Sequence, residues 1–366
     1  MSISDLAPDY VRAISPYVPG KPVSDLAREF GLDAAQIIKL ASNENPRGPS
    51  ASVVAAITQA AGEITRYPDG SGYDLKAALA ARFRLNPDQI VLGNGSNDIL
   101  ELVAHSFLYL GLSAVLSQHS FAVYSLATQA VGAARIEVQA NAYGHDLAAM
   151  HAAIREDTRV VWLANPNNPT GTWLPADQVR AFIAAVPERV LVVLDEAYNE
   201  YLMPEQQADT ASWLADFPHL ILSRTFSKAY GLAALRIGYG LMHADVAAML
   251  DRVRQPFNVN ALAQAAAIAA LADIEYVRQS YELNRQGMQQ LETGFKQLAL
   301  SFIPSHGNFI CVKVGDTARV NLALLRRGII VRPVGNYGMP EFLRVTIGTA
   351  QENERFLDAL AVVLLV

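Results

Sequence analysis

Short apolar runs, each released into a polar turn, limit this chain more than any other feature. They include Ile90-Val91-Leu92, Val160-Val161-Trp162-Leu163-Ala164, Val190-Leu191-Val192-Val193-Leu194 and Leu220-Ile221-Leu222. The runs are apolar at every position, as expected of strands covered on both faces in a parallel sheet packed between helices. Val115-Leu116-Ser117, residues 134–138 and Ile237-Gly238-Tyr239-Gly240-Leu241 extend the series, and residues 97–110 read as a helix. Strand, turn and helix in alternation predict an α/β domain with a mainly parallel sheet over about residues 49–256.

The flanks differ in character. Residues 1–48 are rich in Pro, Ser and Asn and weakly periodic, so they read as an arm that packs on other parts of the structure. Residues 50–62 and 72–83 read as helices parted by the turn Arg66-Tyr67-Pro68-Asp69-Gly70-Ser71-Gly72. Beyond Pro256 an Ala-rich segment leads into a long helix with Val277, Tyr281, Met288, Leu291, Phe295 and Leu298 at helical spacing. Short strands and a last helix follow, which predicts a smaller α+β domain over 257–366.

Composition excludes several function classes. A net charge of −6, from 29 basic and 35 acidic residues, argues against a nucleic-acid or anionic-membrane partner. The single cysteine, Cys311, suits a reducing cytoplasm. The N-terminus has neither the basic start nor the apolar core of a signal peptide. The apolar stretches fall short of the ~20 residues a membrane helix needs. The seven histidines show no metal-ligand spacing, so no metal centre is expected.

The candidate chemistry sits where strands end. In Thr225-Phe226-Ser227-Lys228-Ala229-Tyr230-Gly231, a lysine stands among hydroxyls just past a buried strand. Such a lysine can form an imine with a carbonyl cofactor, and Arg236 offers a cation for a phosphate. A solvated surface lysine is the plainer alternative. Asp195 closes another strand and could face a protonated ring nitrogen or simply cap the next helix. Gly93-Asn94-Gly95-Ser96-Asn97-Asp98 opens a helix and could hold a phosphate on free N–H groups, or be an ordinary glycine turn. Asn165-Pro166-Asn167-Asn168-Pro169-Thr170-Gly171 could present rigid amides to a ligand, or be an Asx/Pro turn.

Together these residues resemble the fold-type I aminotransferases that use pyridoxal 5′-phosphate. Asn168-Pro169-Thr170-Gly171, Asp195-x-x-Tyr198 and Ser227-Lys228 with Arg236 stand in that family's order and spacing. Leu40-Ala41-Ser42-Asn43-Glu44-Asn45-Pro46, Arg66-Tyr67-Pro68-Asp69, Pro256-Phe257-Asn258-Val259-Asn260 and Leu343-Arg344-Val345-Thr346-Ile347 are similar to the histidinol-phosphate aminotransferase branch. The resemblance spans nearly the whole chain. It implies a three-layer large domain, a small domain, and an arm that packs on the small domain and a partner subunit.

By the same resemblance Lys228 carries the cofactor, Asp195 pairs with its ring nitrogen, and Tyr198 and Asn168 meet its ring oxygen. Phe121 stacks on the ring. Ser96, Asn97, Thr225, Ser227 and Arg236 hold the phosphate, with Tyr67 reaching the partner's cofactor in a homodimer. Arg344 takes the substrate's anionic group, with Arg332, Tyr17 and Asn43 around it. The implied reaction joins L-glutamate and imidazole-acetol phosphate to give histidinol phosphate and 2-oxoglutarate. Ser96-Asn97-Asp98 stands where Ser-Asp-Glu is common, and Phe121 where Tyr is frequent. An aromatic amino-acid aminotransferase or a phospho-amino-acid decarboxylase on the same frame is the nearest alternative. A non-catalytic regulatory protein of this fold is the alternative from another class, and no added DNA-binding segment supports it.

Overall fold

The computed structural model describes residues 2–365. The first part carries helices α1 (Asp9–Arg12) and α2 (Val23–Phe30) and a two-residue strand, β1 (Ile38–Lys39). Helices α3 (Ala51–Ala60) and α4 (Tyr73–Phe83) lead to the main sheet. Its strands are β2 (Ile90–Gly93), β3 (Ser113–Ser117), β4 (Ala134–Val138), β5 (Thr158–Ala164), β6 (Leu191–Asp195), β7 (Leu220–Thr225) and β8 (Gly238–Met242). Between them run α5 (Ser96–Phe107), α6 (Ala122–Ala130), α7 (Leu147–Ala152) and α8 (Ala176–Ala185). Three helices follow: α9 (Ala244–Val253), α10 (Ala261–Ala272) and α11 (Ile274–Gln297). The last part comprises β9 (Phe302–Ile303), β10 (Phe309–Lys313), α12 (Thr317–Leu325), β11 (Ile329–Ile330), β12 (Arg332–Pro333), β13 (Phe342–Thr346) and α13 (Ala350–Leu364).

The seven-stranded sheet has the order β2-β8-β7-β6-β5-β3-β4. Every neighbouring pair is parallel except those of β8, which runs antiparallel to both β2 and β7. The mainly parallel α/β architecture expected from the apolar runs is therefore the one observed. Strand alternation explains why those runs lack polar positions. Val161, Leu163, Val192, Leu194 and Leu222 enter one core, whereas Val160, Trp162, Val193 and Ile221 enter the core on the opposite face. Side chains of successive strand residues point to opposite faces, so both registers must be apolar when helices cover both sides.

Helix α10 follows Pro256, yet its Ala263, Ala266, Ala267 and Ala270 belong to the first of these cores, beside Val53 of α3 and Leu75 and Leu79 of α4. Its alanines let the helices approach closely. The third core gathers Met288, Leu291 and Phe295 of α11 with Phe356 and Leu360 of α13 and the small sheet, ordered β12-β13-β10-β9. Ile38 and Leu40 from the first part join this core. They are fixed there by parallel pairing of β1 with β11 and by Thr346 N–H donating to Leu40 O at 2.9 Å. The segment after β1 thus starts in the small unit and crosses toward the carboxyl ends of β5, β6 and β7.

Candidate active site

In parallel sheets the carboxyl ends of the strands open toward ligands. Here β5, β6 and β7 end at Ala164, Asp195 and Thr225, and all three border one cavity of about 320 Å³. Every site residue expected from the sequence lines that cavity except Tyr67. Tyr67 lies apart from it, 82% exposed.

At the cavity floor stands Lys228, three residues beyond β7. Its Nζ donates to Ser42 O at 3.2 Å and lies 5.8 Å from the centre of the Tyr198 ring. The side chain is half-buried and lines the cavity. Desolvation first, then the cation of Arg344, lowers its ammonium group to about 8. A lysine so perturbed is available as a neutral amine near neutral pH, unlike an ordinary surface lysine.

Asp195, buried at the end of β6, accepts the Tyr124 hydroxyl at 2.8 Å and Ala197 N–H at 3.2 Å. Burial pushes its carboxyl up to about 6, against the pull of those two donors. A buried carboxylate with no cation bonded to it is costly, and a cationic ligand group opposite would relieve that cost. Tyr124 was missed at the sequence level. It lies one helical turn from Phe121, stacks on Trp162 at 5.6 Å, and is held in turn by Thr128, which accepts Trp162 Nε1–H at 3.0 Å and donates to Tyr124 O at 2.7 Å. Its i, i+3 spacing from Phe121, along the helix that follows β3, was its only signal.

Tyr198, also buried, accepts Asn43 Nδ2–H at 2.9 Å and Asn168 Nδ2–H at 3.1 Å. Burial raises its phenol to about 12, which keeps it protonated and able to donate to a ligand oxygen. Asn168 Oδ1 accepts from Arg344 Nη1 at 2.5 Å, and Arg344 Nη2 donates to Ala41 O at 2.8 Å. The Nε of Arg344 is buried with no partner among the described residues. The side chain lines the cavity with only two of its five N–H groups bonded to those residues, so a guanidinium fork remains for an anion. Arg332 sits further out, donating to Val18 O at 2.7 Å and lying 5.7 Å from the Tyr17 ring.

Ser96, Asn97, Thr225, Ser227 and Arg236 form a part of the cavity lining, a cup, that suits an anion. Ser96 and Asn97 begin α5, where unpaired N–H groups and the helix dipole favour negative charge. Gly95, at φ +84°, leaves room for Arg236: a Cβ there would come within 2.3 Å of Nη2. A Cβ on Gly238 would come within 2.4 Å of Ser96 N. Arg236, itself at φ +57°, turns its Nη1 toward Ser227 Oγ at 3.4 Å and Ala233 O at 2.9 Å. Asp98, whose charge would oppose a phosphate, faces away from the cup and accepts Asn94 N–H at 2.8 Å and Asn258 Nδ2–H at 2.7 Å.

A second feature was not foreseen. On the reverse side of the same strand ends, Glu196 and Arg224 form a buried ion pair at 2.8 Å, and the Thr210 hydroxyl joins it. The pair straps the end of β6 to the end of β7 immediately beside Asp195 and Thr225. Nothing in local sequence patterning pairs two residues 28 positions apart.

These parts fit a phosphate-bearing pyridine with a carbonyl group. A phosphate would sit in the cup, with Asp195 placed toward a ring nitrogen, Tyr198 and Asn168 toward an oxygen, Phe121 offering a ring face and Lys228 an amine. The fold and the donor set define a class. The chain belongs to the aminotransferase class I and II family, whose model matches residues 35–360. Within it, the chain is 61% identical to histidinol-phosphate aminotransferase 1 of Thiobacillus denitrificans, over 98% of this chain and 93% of that one. The histidinol-phosphate aminotransferase of Sinorhizobium meliloti, solved in complex with pyridoxal 5′-phosphate, superposes with a TM-score of 0.90 at 33% identity, covering 98% of this chain and 97% of that one. The aspartate aminotransferase of Thermus thermophilus shares the fold, with a TM-score of 0.84 at 22% identity over 98% and 99% of the two chains.

Proposed function

We propose that this protein transfers an amino group from L-glutamate to imidazole-acetol phosphate, giving L-histidinol phosphate and 2-oxoglutarate, with pyridoxal 5′-phosphate as cofactor. The observation that carries the reading is the convergence of Lys228, Asp195, Tyr198 and Arg344 on one cavity that ends in an anion cup. When bound, the cofactor supplies an aldehyde that accepts amino groups and a ring that withdraws electrons from the substrate Cα.

The chain's own residues do the rest. Ser96, Asn97, Thr225, Ser227 and Arg236 bind the phosphate and fix the register of the ring. The Asp195 carboxylate, oriented by Tyr124, keeps the ring nitrogen protonated. Tyr198 and Asn168 donate to the ring oxygen. Lys228 binds the cofactor and then, as a neutral amine, takes and returns the proton at the substrate Cα. Its lowered pKa provides that neutral amine without strong alkali. Arg344 holds the anionic group of the substrate, and Arg332, Tyr17 and Asn43 close over it. The two arginines have to accept a carboxylate in one half-reaction and a phosphate in the other, for which a guanidinium fork suits both.

The same reading includes a cytoplasmic homodimer in which Tyr67 reaches the partner's cofactor phosphate. Its support is the position of Tyr67, outside its own cavity and open to solvent. Division into an arm (1–48), a large domain (49–256) and a small domain (257–366) is part of the proposal, with α10 packing on the large side of the second boundary.

Steady-state kinetics with L-histidinol phosphate and L-phenylalanine as competing donors tests the substrate. A kcat/KM at least about tenfold higher for histidinol phosphate, equal to ~1.4 kcal/mol of transition-state discrimination, is expected. A preference for phenylalanine would overturn the substrate assignment and leave the aminotransferase chemistry standing.

A further inference from the structure

Phe257 and Asn258 lie outside the cavity, and the reaction gives them no role. Their contacts nevertheless converge on its phosphate end. Asn258 Nδ2 donates to Leu92 O at 3.0 Å, at the end of β2, and to Asp98 Oδ2 at 2.7 Å, in the first turn of α5. Its Oδ1 accepts from Arg254 Nη1 at 3.1 Å, and the same Nη1 donates to Gly70 O at 3.1 Å. Asn258 is therefore tied both to the phosphate cup and to the loop that carries Tyr67.

Phe257 completes the connection. Its backbone is at φ +58°, a conformation that bulky residues rarely adopt and that persists only where the surroundings hold it. Its ring stacks on Tyr67, with centroids 4.7 Å apart and planes at 20°. Gly70 makes room for the stack, since a Cβ there would come within 3.2 Å of the Phe257 ring. Tyr67 is 82% exposed and Phe257 44% exposed, so the pair faces outward rather than into its own core. A tyrosine alone on such a loop would have its rotamers free, and would lose that freedom on meeting a ligand.

We infer that Phe257 is a positioning residue for the neighbouring active site: it holds the Tyr67 ring ready for the phosphate bound by a second copy of this chain. Asn258 anchors that stack to the cup of its own subunit. The inference rests on the reading that Tyr67 acts across a dimer.

Mixed dimers test it, with two affinity tags to isolate the hybrids and activity measured against pyridoxal 5′-phosphate concentration. In the homodimer, Phe257→Ala should raise the cofactor concentration for half-maximal activity by about three- to tenfold, the range of an aromatic stack. Phe257→Leu, which keeps apolar volume without the stack, should do the same if the Ala variant folds poorly, and Phe257→Tyr should restore the wild-type value. In a Tyr67→Ala background Phe257→Ala should add nothing further. A hybrid of Phe257→Ala with Lys228→Ala has one active site, with Lys228 from the first chain and an intact Tyr67–Phe257 stack from the second. That site should recover wild-type cofactor dependence. Persistence of the defect in the hybrid would place Phe257 in its own subunit's site and overturn the inference. The hybrid of Tyr67→Ala with Lys228→Ala separates the two claims. If it recovers while the Phe257 hybrid does not, only this inference fails; if neither recovers, the shared-site reading fails with it.

Discussion

Lys228 and Asp195 are perturbed in opposite senses by one cause. Burial disfavours charge on both, so the lysine is lowered to about 8 and the aspartate raised to about 6. The signs set a pH dependence. Covalent capture of the cofactor requires the neutral amine, whose fraction grows as pH rises through the lysine's pKa. The rate at which the cofactor-free protein takes up pyridoxal 5′-phosphate should therefore climb with pH and reach half its plateau near pH 8. Stopped-flow absorbance over a pH series checks this, and a rate still climbing steeply above pH 10 would show an ordinary lysine. These residues were legible in the sequence because the cavity is lined by residue types that stand out at strand ends: a lysine among hydroxyls, an aspartate after an apolar run. Tyr124 was not legible, since a buried tyrosine on a helix looks the same whether it fills a core or supports a carboxylate. The Glu196–Arg224 pair was hidden for a different reason, because only the adjacency of β6 and β7 brings the two together.

Among the elements, the proposed phosphate cup has two glycines, Gly95 and Gly238, where a side chain would not fit. Gly238 opens β8 where it passes the first N–H of α5, and a methyl group there would sit 2.4 Å from Ser96 N. The backbone atom cannot yield as a flexible side chain could, so Gly238→Ala should carry an overpacking cost of about 1–3 kcal/mol. Part of that cost falls on the cup itself. The cofactor dissociation constant should rise about five- to hundredfold in an absorbance titration, with Lys228 chemistry otherwise retained. Unchanged affinity would mean that the cup tolerates displacement of α5. The parallel strands were readable because burial on both faces forces continuous apolar runs. The antiparallel run of β8 was not, because strand direction depends on a connection through the 226–237 loop and leaves no local signature. Nor could β1 be read: two residues are too few to show a period, and their partner is β11, almost 300 positions away.

For the molecule as a whole, the segment after β1 matters most. It belongs by pairing to the small unit, yet Ser42 O accepts from Lys228 and Asn43 donates to Tyr198. Asn45 Nδ2 donates to Ala229 O at 3.0 Å and to Ser280 Oγ at 2.9 Å, so the residue after the lysine is tied to α11. Arg344, on β13, reaches the same cavity from the small sheet. The side chains proposed for substrate binding and proton transfer thus come from two units that meet over the ends of β5, β6 and β7. On the proposed function, this joint cavity moves an amino group from histidinol phosphate by way of Lys228. The most direct test is a single turnover, in which cofactor-loaded protein is mixed with one equivalent of L-histidinol phosphate in the absence of a 2-oxo acid. The expected result is loss of the yellow absorbance in step with one equivalent of ketone formed, return of the colour on adding 2-oxoglutarate, and neither change in Lys228→Ala. Wild-type protein that keeps its colour and its histidinol phosphate intact would contradict the proposed function.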